Sequence, residues 1–212
     1  MMIGFYNYTV ILTYIGTICG FIGITYAAGG DTKMALIFLM LAGFCDMFDG
    51  KIASTMKRTK SEKRFGIQID SLSDLICFGV LPAFIVYNFF ESDVLVIRIL
   101  RVAVPALYML CALIRLAWFN VDEEERQDKE DCSREIYMGL PVTTSALLVP
   151  MFISAINLLK LPKDYVAPAV MFVIALAFIT PFRMKKPGWI GKILMVLFGI
   201  GGLVLVIYGV RA

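Results

Sequence analysis

The 212-residue sequence contains no histidine. This absence excludes Ser-His-Asp and Cys-His catalysis, and it also excludes histidine-ligated metals and haem-type ligation. Any chemistry must therefore use Asp, Glu, Lys, Arg, Ser, Cys or Tyr side chains.

Three further features are weak or missing. The five cysteines form no CxxC pair and four lie in apolar runs, so we expect core residues rather than a disulfide framework or a zinc site. A net charge of only +3 gives no indication of a nucleic-acid partner. No Lys or Arg precedes Lys33, so the basic region of a signal peptide is not evident and the first apolar run is expected to be a retained span.

Apolar residues, by contrast, are abundant: they make up 59% of the chain, and the mean hydropathy is +0.81. Soluble domains are nearer 45–50% apolar. The excess lies in continuous runs of about the length that crosses a bilayer, which indicates helices rather than the alternating strands of a barrel. We predict an all-α polytopic membrane protein, a bundle of six to seven transmembrane helices in a single domain spanning residues 1–212. The runs are Tyr8–Ala28, Thr32–Thr55, Phe65–Phe90, Val94–Phe119, Met138–Leu159, the shorter Tyr165–Thr180 and Trp189–Val210.

The connections between runs predict an orientation. Those after the second, fourth and sixth runs are richer in Lys and Arg than the alternate ones, although Arg98 and Arg101 weaken the contrast. By the positive-inside rule they are predicted to face the cytoplasm. The acidic stretch Asp122–Ile136 is predicted to be a solvated cytoplasmic connection.

Four aspartates flank the first basic connection. Asp46 and Asp49 are three residues apart near the end of one run, and Asp70 and Asp74 are four apart near the start of the next. Both spacings place the pair on one helix face, so the four carboxylates can converge. A cluster that stays ionised needs cations, and hard oxygen ligands suit two Mg²⁺ or Mn²⁺ ions. Gly50 would let a ligand approach the backbone.

The alternative is that these are interfacial carboxylates paired with nearby Lys and Arg. Four at helical spacings make that alternative weaker.

The stretch resembles the signature of the CDP-alcohol phosphotransferase family, D-x-x-D-G-x-x-A-R followed by G-x-x-x-D-x-x-x-D. Here it reads Asp46-Met-Phe-Asp49-Gly50-Lys-Ile-Ala53 and then Gly66-Ile-Gln-Ile-Asp70-Ser-Leu-Ser-Asp74. The sequence departs from the signature in two ways: the family arginine after Ala53 is Ser54, and the gap to Gly66 is a few residues longer. Arg58, four residues and thus one helical turn after Ser54, is the predicted substitute cation, with Lys51 and Lys57 as the other candidates.

The resemblance implies transfer of a phosphatidyl group from CDP-diacylglycerol to an alcohol, with release of CMP. It implies that Asp46, Asp49 and Asp70 hold one metal ion and that Asp46, Asp70 and Asp74 hold the other. Asp74 would accept the proton of the acceptor hydroxyl. Gly50 and the Ser54 region would face the donor nucleotide.

Two later segments are similar to the phosphatidylserine synthase branch of the family. They are "IRLAWFN" (Ile114–Asn120) and "GLP" (Gly139–Pro141). Serine is therefore the expected acceptor, with Arg115 and Asn120 as the expected acceptor contacts. An arginine fork suits a carboxylate or a phosphate, and the alternative for Arg115 is snorkelling to the interface.

The other interpretations remain open at the level of sequence. The acceptor could be glycerol phosphate or inositol phosphate, and the donor could be an archaeal-type lipid. From a different class, intramembrane carboxylates are also typical of cation or proton-coupled transporters. Beyond the substrates, we expect membrane lipids as partners and consider a homodimer compatible with the sequence. The expected location is the cell membrane, with the active site facing the cytoplasm.

Overall fold

The computed structural model describes residues 4–129, 136–185 and 189–210, and within them it is almost entirely helical. The helices are α1 (Tyr8–Ala28), α2 (Thr32–Ala53), α3 (Lys60–Asp74), α4 (Leu81–Phe89), α5 (Leu95–Lys129), α6 (Ser145–Leu158), α7 (Lys163–Ile179) and α8 (Trp189–Gly209). A π-helical segment, Leu75–Val80, joins α3 to α4 without a break, and a 3-10 turn, Val142–Thr144, precedes α6. The predicted all-α polytopic membrane fold is confirmed.

Three of the described helical segments are long and apolar enough to cross a bilayer. They are Tyr8–Ala28, Lys60–Phe89 and Leu95–Glu125. Val142–Leu158 and Leu197–Gly209 are shorter apolar helices. Many large apolar side chains on these helices are exposed, as expected where lipid rather than water covers the surface. The predicted number of six to seven crossings stays a prediction.

Helices α1 and α2 form an antiparallel pair with a close approach. A Cβ added at Gly16 would lie 3.3 Å from Cβ of Cys45 on α2, and on the side of α1 that meets the π-helical segment one added at Gly20 would lie 2.7 Å from Sγ of Cys77. Small residues at these positions allow backbones to pack closely where lipid offers no hydrophobic drive for association. The pair thereby brings the start of α1 beside the end of α2, where Asp46 and Asp49 lie.

Helix α3 begins earlier than the apolar pattern predicts, at Lys60 rather than Phe65. Thr59 and Glu62 form a capping box: the Thr59 hydroxyl accepts from the Glu62 N–H, and the Glu62 carboxylate accepts from the Thr59 N–H. The first turns of α3 are polar, so an apolar window misses them.

The fourth and fifth predicted runs also differ from the structure. Helix α5 continues to Lys129, so the start of the acidic stretch predicted as a connection is helical; residues 130–135 lie outside the described part. The run predicted from Met138 becomes helical only at Ser145, because Gly139 takes a left-handed φ of +71° and Pro141 follows. Strand β1 (Ile136–Met138) instead pairs antiparallel with β2 (Arg183–Lys185).

Candidate active site

Three of the four predicted aspartates form a tight carboxylate group. One carboxylate oxygen from each of Asp46, Asp49 and Asp70 lies within 4.8 Å of the others. Asp49 is buried at 8% exposure, and the other two are half-buried. Helix α2 supplies two members and α3 the third, which is the convergence that the helical spacings predict.

Asp74 lies one turn further along α3. It is half-buried and lines a small cavity with Asp46 and Asp49, beside Thr13 and Gly16 of α1. All four carboxylates therefore belong to one region, with Asp74 on its inner side, toward the π-helical segment.

The surroundings of the carboxylates exclude the ion-pair alternative for the described residues. No Lys or Arg side-chain nitrogen in the described chain comes within 4.0 Å of any of the four carboxylates. Four converging negative charges without a cationic side chain repel one another strongly at low dielectric. The donor set is oxygen only, which fits Mg²⁺ or Mn²⁺, and two such ions would balance four carboxylates. Asp46, Asp49 and Asp70 are the residues that fit one ion best.

Hydroxyl groups surround the cluster, and the sequence analysis missed them. The Thr13 hydroxyl donates to Oδ2 of Asp49 at 3.1 Å. The Thr17 hydroxyl lies one turn further along α1 and donates to the Ser73 hydroxyl at 2.7 Å. Thr9, Thr13 and Thr17 recur every four residues in an otherwise apolar run. That polar stripe was the available signal for a helix face turned toward the site.

The predicted donor-binding residues lie at the outer end of the cluster. Gly50 is exposed, and a Cβ added there would meet nothing within 4 Å, so the space over its backbone is open. The Lys51 ammonium lies 5.2 Å from the centroid of the Phe48 ring. Ser54 is the C-cap of α2, and its hydroxyl donates to the Lys51 carbonyl.

Arg58 does not follow Ser54 by one helical turn, which was the basis for choosing it. Helix α2 ends at Ala53, so residues 54–59 form a connection rather than another turn. The Arg58 guanidinium instead lies over Gly66 of α3, where an added Cβ would be 3.0 Å from Nη1. Gly66 is one turn before Asp70, so Arg58 lies beside the first turns of α3 rather than on a continuation of α2.

Arg115 is enclosed by protein rather than snorkelling. It is 6% exposed, its Nε donates to the Leu140 carbonyl at 3.4 Å, and its guanidinium lies 5.3 Å from the Trp118 ring centroid. The segments "IRLAWFN" and "GLP", far apart in sequence, therefore meet in space. Gly139 also lies against the end of α7, because an added Cβ would be 3.1 Å from the Thr180 carbonyl oxygen and 3.3 Å from that of Phe178.

Asn120 ties α5 to α3. Its Oδ1 accepts a hydrogen bond from the Ser71 hydroxyl at 2.6 Å, beside Asp70. The Tyr108 hydroxyl makes the equivalent tie further along, to the Phe78 carbonyl at 2.8 Å. The two helices run antiparallel between these ties. Along α5, Arg115 lies between Asn120 and Tyr108, and along the continuous stretch of α3 and the π-helical segment, Asp74 lies between Ser71 and Phe78.

The sequence model of the family described as CDP-alcohol phosphatidyltransferase matches residues 6–182. The chain belongs to this family. It is thus a phosphotransferase enzyme and an integral membrane protein, and the transporter alternative is set aside. The matched segment contains the whole carboxylate cluster and both of the later segments.

Individual relatives of the chain carry the names of enzymes that transfer lipid phosphatidyl groups or their archaeal counterparts to serine. The chain is 28% identical over 199 residues to a CDP-diacylglycerol--serine O-phosphatidyltransferase of Methanocaldococcus jannaschii, covering 94% of this chain and 82% of the relative. It is 30% identical over 142 residues to an archaetidylserine synthase of Methanothermobacter thermautotrophicus, covering 67% and 55%. A Helicobacter pylori CDP-diacylglycerol--serine O-phosphatidyltransferase is 31% identical over 130 residues, covering 61% and 50%. The chain thus spans only about half the length of the last two relatives.

Proposed function

We propose that the protein transfers a phosphatidyl group, or its archaeal ether-lipid counterpart, from a CDP-linked lipid to the hydroxyl of L-serine, releasing CMP. The observation that carries the proposal is the cluster of Asp46, Asp49, Asp70 and Asp74 in a member of the CDP-alcohol phosphatidyltransferase family. The names of the relatives support serine, and they include both lipid classes.

The carboxylates have distinct roles in this proposal. Asp46, Asp49 and Asp70 hold one divalent ion, and Asp46, Asp70 and Asp74 hold a second. Such ions, when bound, stabilise the charge that develops on the transferred phosphoryl group and on the leaving CMP. Asp74 takes the proton from the serine hydroxyl, since a positioned carboxylate is a suitable general base in a chain without histidine.

Donor and acceptor approach from different sides of the cluster. Open space over Gly50, with Arg58 near Gly66, supports a nucleotide and pyrophosphate position at the outer end. Arg115, a buried cation on α5 between Tyr108 and Asn120, supports an acceptor position deeper in the bundle, where its guanidinium would hold the serine carboxylate. Asn120 orients α5 through Ser71 and is a weaker candidate for contact with serine.

The membrane location follows from the same arrangement. The acyl or ether chains of the donor remain in the leaflet, and the headgroup meets soluble serine at one interface. The basic residues that follow α2 lie at that end, which supports an active site facing the cytoplasm of the cell membrane. A homodimer also remains part of the proposal.

The test is CMP release by protein purified in detergent with Mg²⁺ or Mn²⁺. CDP-diacylglycerol and CDP-archaeol are each combined with serine, glycerol 3-phosphate, inositol phosphate and inositol. We expect the highest turnover with serine, and loss of turnover on chelation of the metal. Faster turnover with any other alcohol would refute the serine assignment, whereas the preferred donor would decide between the two lipid classes.

A further inference from the structure

The helix that carries Asp70 and Asp74 changes its hydrogen-bond pattern immediately after Asp74. Residues Leu75–Val80 are π-helical, and the Leu81 N–H donates five residues back, to the Ile76 carbonyl. A π turn contains one more residue than an α turn. It therefore rotates all later side chains by about 100° about the helix axis, relative to an uninterrupted α-helix. Asp74 and the anchored core residue Leu81, which is 0% exposed, therefore keep their present relative orientation only while the π segment persists.

The chain itself contributes to this irregularity. In a regular α-helix the Phe78 carbonyl would accept from the N–H of residue 82, but that residue is Pro82, which has no N–H. The regular pattern therefore lacks a donor for a carbonyl in the core, only one turn beyond Asp74.

Two hydroxyls from other parts of the bundle reach the same carbonyl. The Tyr108 hydroxyl of α5, in a side chain that is 0% exposed, donates to Phe78 O at 2.8 Å. The Ser145 hydroxyl lies 3.3 Å from Phe78 O, but it has one proton and a nearer acceptor, the Val142 carbonyl at 2.7 Å. Tyr108 is thus the principal side-chain donor to this carbonyl.

We propose that Tyr108 is a positioning residue for Asp74, acting through the Phe78 carbonyl to hold the π-helical segment that sets the direction of the Asp74 carboxylate. Pro82 and Tyr108 form a complementary pair: one removes the regular donor, and the other supplies a replacement from α5. This inference rests on the role proposed above for Asp74.

The decisive variant is Tyr108→Phe, which removes the hydroxyl but keeps the ring that packs 5.2 Å from the Phe178 ring. We expect kcat for CMP release to fall about five- to thirtyfold, the factor corresponding to one buried hydrogen bond. The KM for the CDP-linked donor should change less. Mn²⁺ titration of the detergent-solubilised protein, followed by electron paramagnetic resonance without substrates, should show weaker binding of the second of two ions.

The Pro82→Ala background tests the complementary pair. Alanine restores an N–H four residues after Phe78, so Tyr108→Phe should cost less there than in the wild-type background. Ser154→Ala is the matched control, because Ser154 is also a fully buried hydroxyl but lies on α6 beside Gly209. It should leave both kcat and Mn²⁺ binding unchanged.

The outcomes separate this inference from the proposed function. If Tyr108→Phe lowers the melting temperature but leaves kcat and Mn²⁺ affinity at wild-type values, Tyr108 is only a packing residue and the inference is wrong. Equal loss from Tyr108→Phe in the two backgrounds would also refute the pairing with Pro82. If Asp74→Asn keeps wild-type turnover, the role of Asp74 fails and the inference fails with it. If Asp74→Asn loses turnover but Tyr108→Phe does not, the inference about Tyr108 is wrong while the proposed function stands.

Discussion

The Thr13 hydroxyl donates a 3.1 Å hydrogen bond to Oδ2 of Asp49, and both side chains are buried, at 7% and 8% exposure. This contact joins α1, which carries no carboxylate of the cluster, to a carboxylate of α2. It occupies one lone pair of Asp49 and fixes the direction of the remaining ones toward Asp46 and Asp70. Helix α1 is therefore part of the candidate site as well as part of the scaffold.

Thr13→Val removes this hydroxyl with almost no change in shape. Loss of a hydrogen bond to a metal-ligating carboxylate typically costs about 10–100-fold in metal affinity or activity. We expect the Mn²⁺ dissociation constant to rise by a factor in that range, together with a raised Mn²⁺ requirement for turnover. Thr25→Val is the control, because Thr25 lies at the other end of α1, where its hydroxyl donates to the Ile22 carbonyl. Equal behaviour of the two variants would exclude a role for Thr13 in the site.

The close contact between α2 and α6 depends on a glycine, Gly43. A Cβ added at Gly43 would lie 2.5 Å from Cβ of Ala146, closer than real side chains approach, so the helices would have to separate. We expect Gly43→Ala to lower the free energy of unfolding by about 1–3 kcal/mol, visible as a lower melting temperature in detergent. Gly201→Ala on α8 is the matched control, because an added Cβ there meets nothing within 4 Å. A wild-type melting temperature for Gly43→Ala would show that the interface adjusts freely.

The core of the site was predictable from the sequence, because spacings of three and four residues fix helix faces whatever the tertiary packing is. The convergence of Asp46, Asp49 and Asp70 follows from that rule and a short connection between antiparallel helices. The apolar runs likewise predicted every long helix, since length and hydropathy alone determine what can span lipid.

The remaining features depend on information that periodicity does not carry. The capping box at Thr59 and Glu62 starts α3 in a polar stretch, and the left-handed Gly139 delays α6. The end of α2 at Ala53 removed the helical path by which Arg58 was expected to follow Ser54. Contacts such as Thr13 with Asp49 depend on which faces of α1 and α2 meet, which one sequence does not give.

Arg58 is the candidate for the cation that contacts the donor pyrophosphate, and this role can be tested by substitution. Its guanidinium lies over Gly66, one turn before Asp70 on α3, and Arg58 itself belongs to the connection after Ala53 where the family arginine would stand. We expect Arg58→Ala to raise the KM for the CDP-linked lipid more than the KM for serine, and Ser54→Arg to restore part of the loss. Lys60→Ala, an exposed cation at the start of α3, is the control. Unchanged donor kinetics in both Arg58→Ala and Ser54→Arg would rule out this region as the donor cation site.

Arg115 can be distinguished from a purely structural arginine by comparison within its own helix. Arg101, near the other end of α5, also donates to a backbone carbonyl, that of Tyr87, and also lies over an aromatic ring. We expect Arg115→Leu to raise the KM for serine at least about tenfold while the donor KM changes less. Arg101→Leu should alter stability but not the KM for serine. If Arg115→Leu raises the KM for both substrates equally, or merely lowers the melting temperature, its role is structural.

Replacement of Asp74 and replacement of Asp46 should have different effects on the enzyme. Asp74 lines the cavity with Asp46 and Asp49 but lies outside the tight group, so Asp46, Asp49 and Asp70 can hold one ion without it. Asp74→Asn keeps the shape, removes the basic oxygen and weakens one metal ligand. General-base assistance is typically worth about 10²–10⁴ in rate. We therefore expect turnover to fall at least about 100-fold while the CDP-linked donor still binds.

Asp46→Asn is the matched comparison, because Asp46 belongs to both proposed ion sites and its loss should weaken donor binding as well as turnover. The measurement is equilibrium binding of the CDP-linked lipid together with CMP release, for both variants, at saturating Mg²⁺ or Mn²⁺. The two variants should differ clearly in donor binding. A general base acts only during the reaction, whereas a carboxylate that holds both ions already contributes to binding of the donor. Near-wild-type turnover in Asp74→Asn would exclude Asp74 as the base. Unimpaired donor binding in Asp46→Asn would instead show that the ions do not hold the donor.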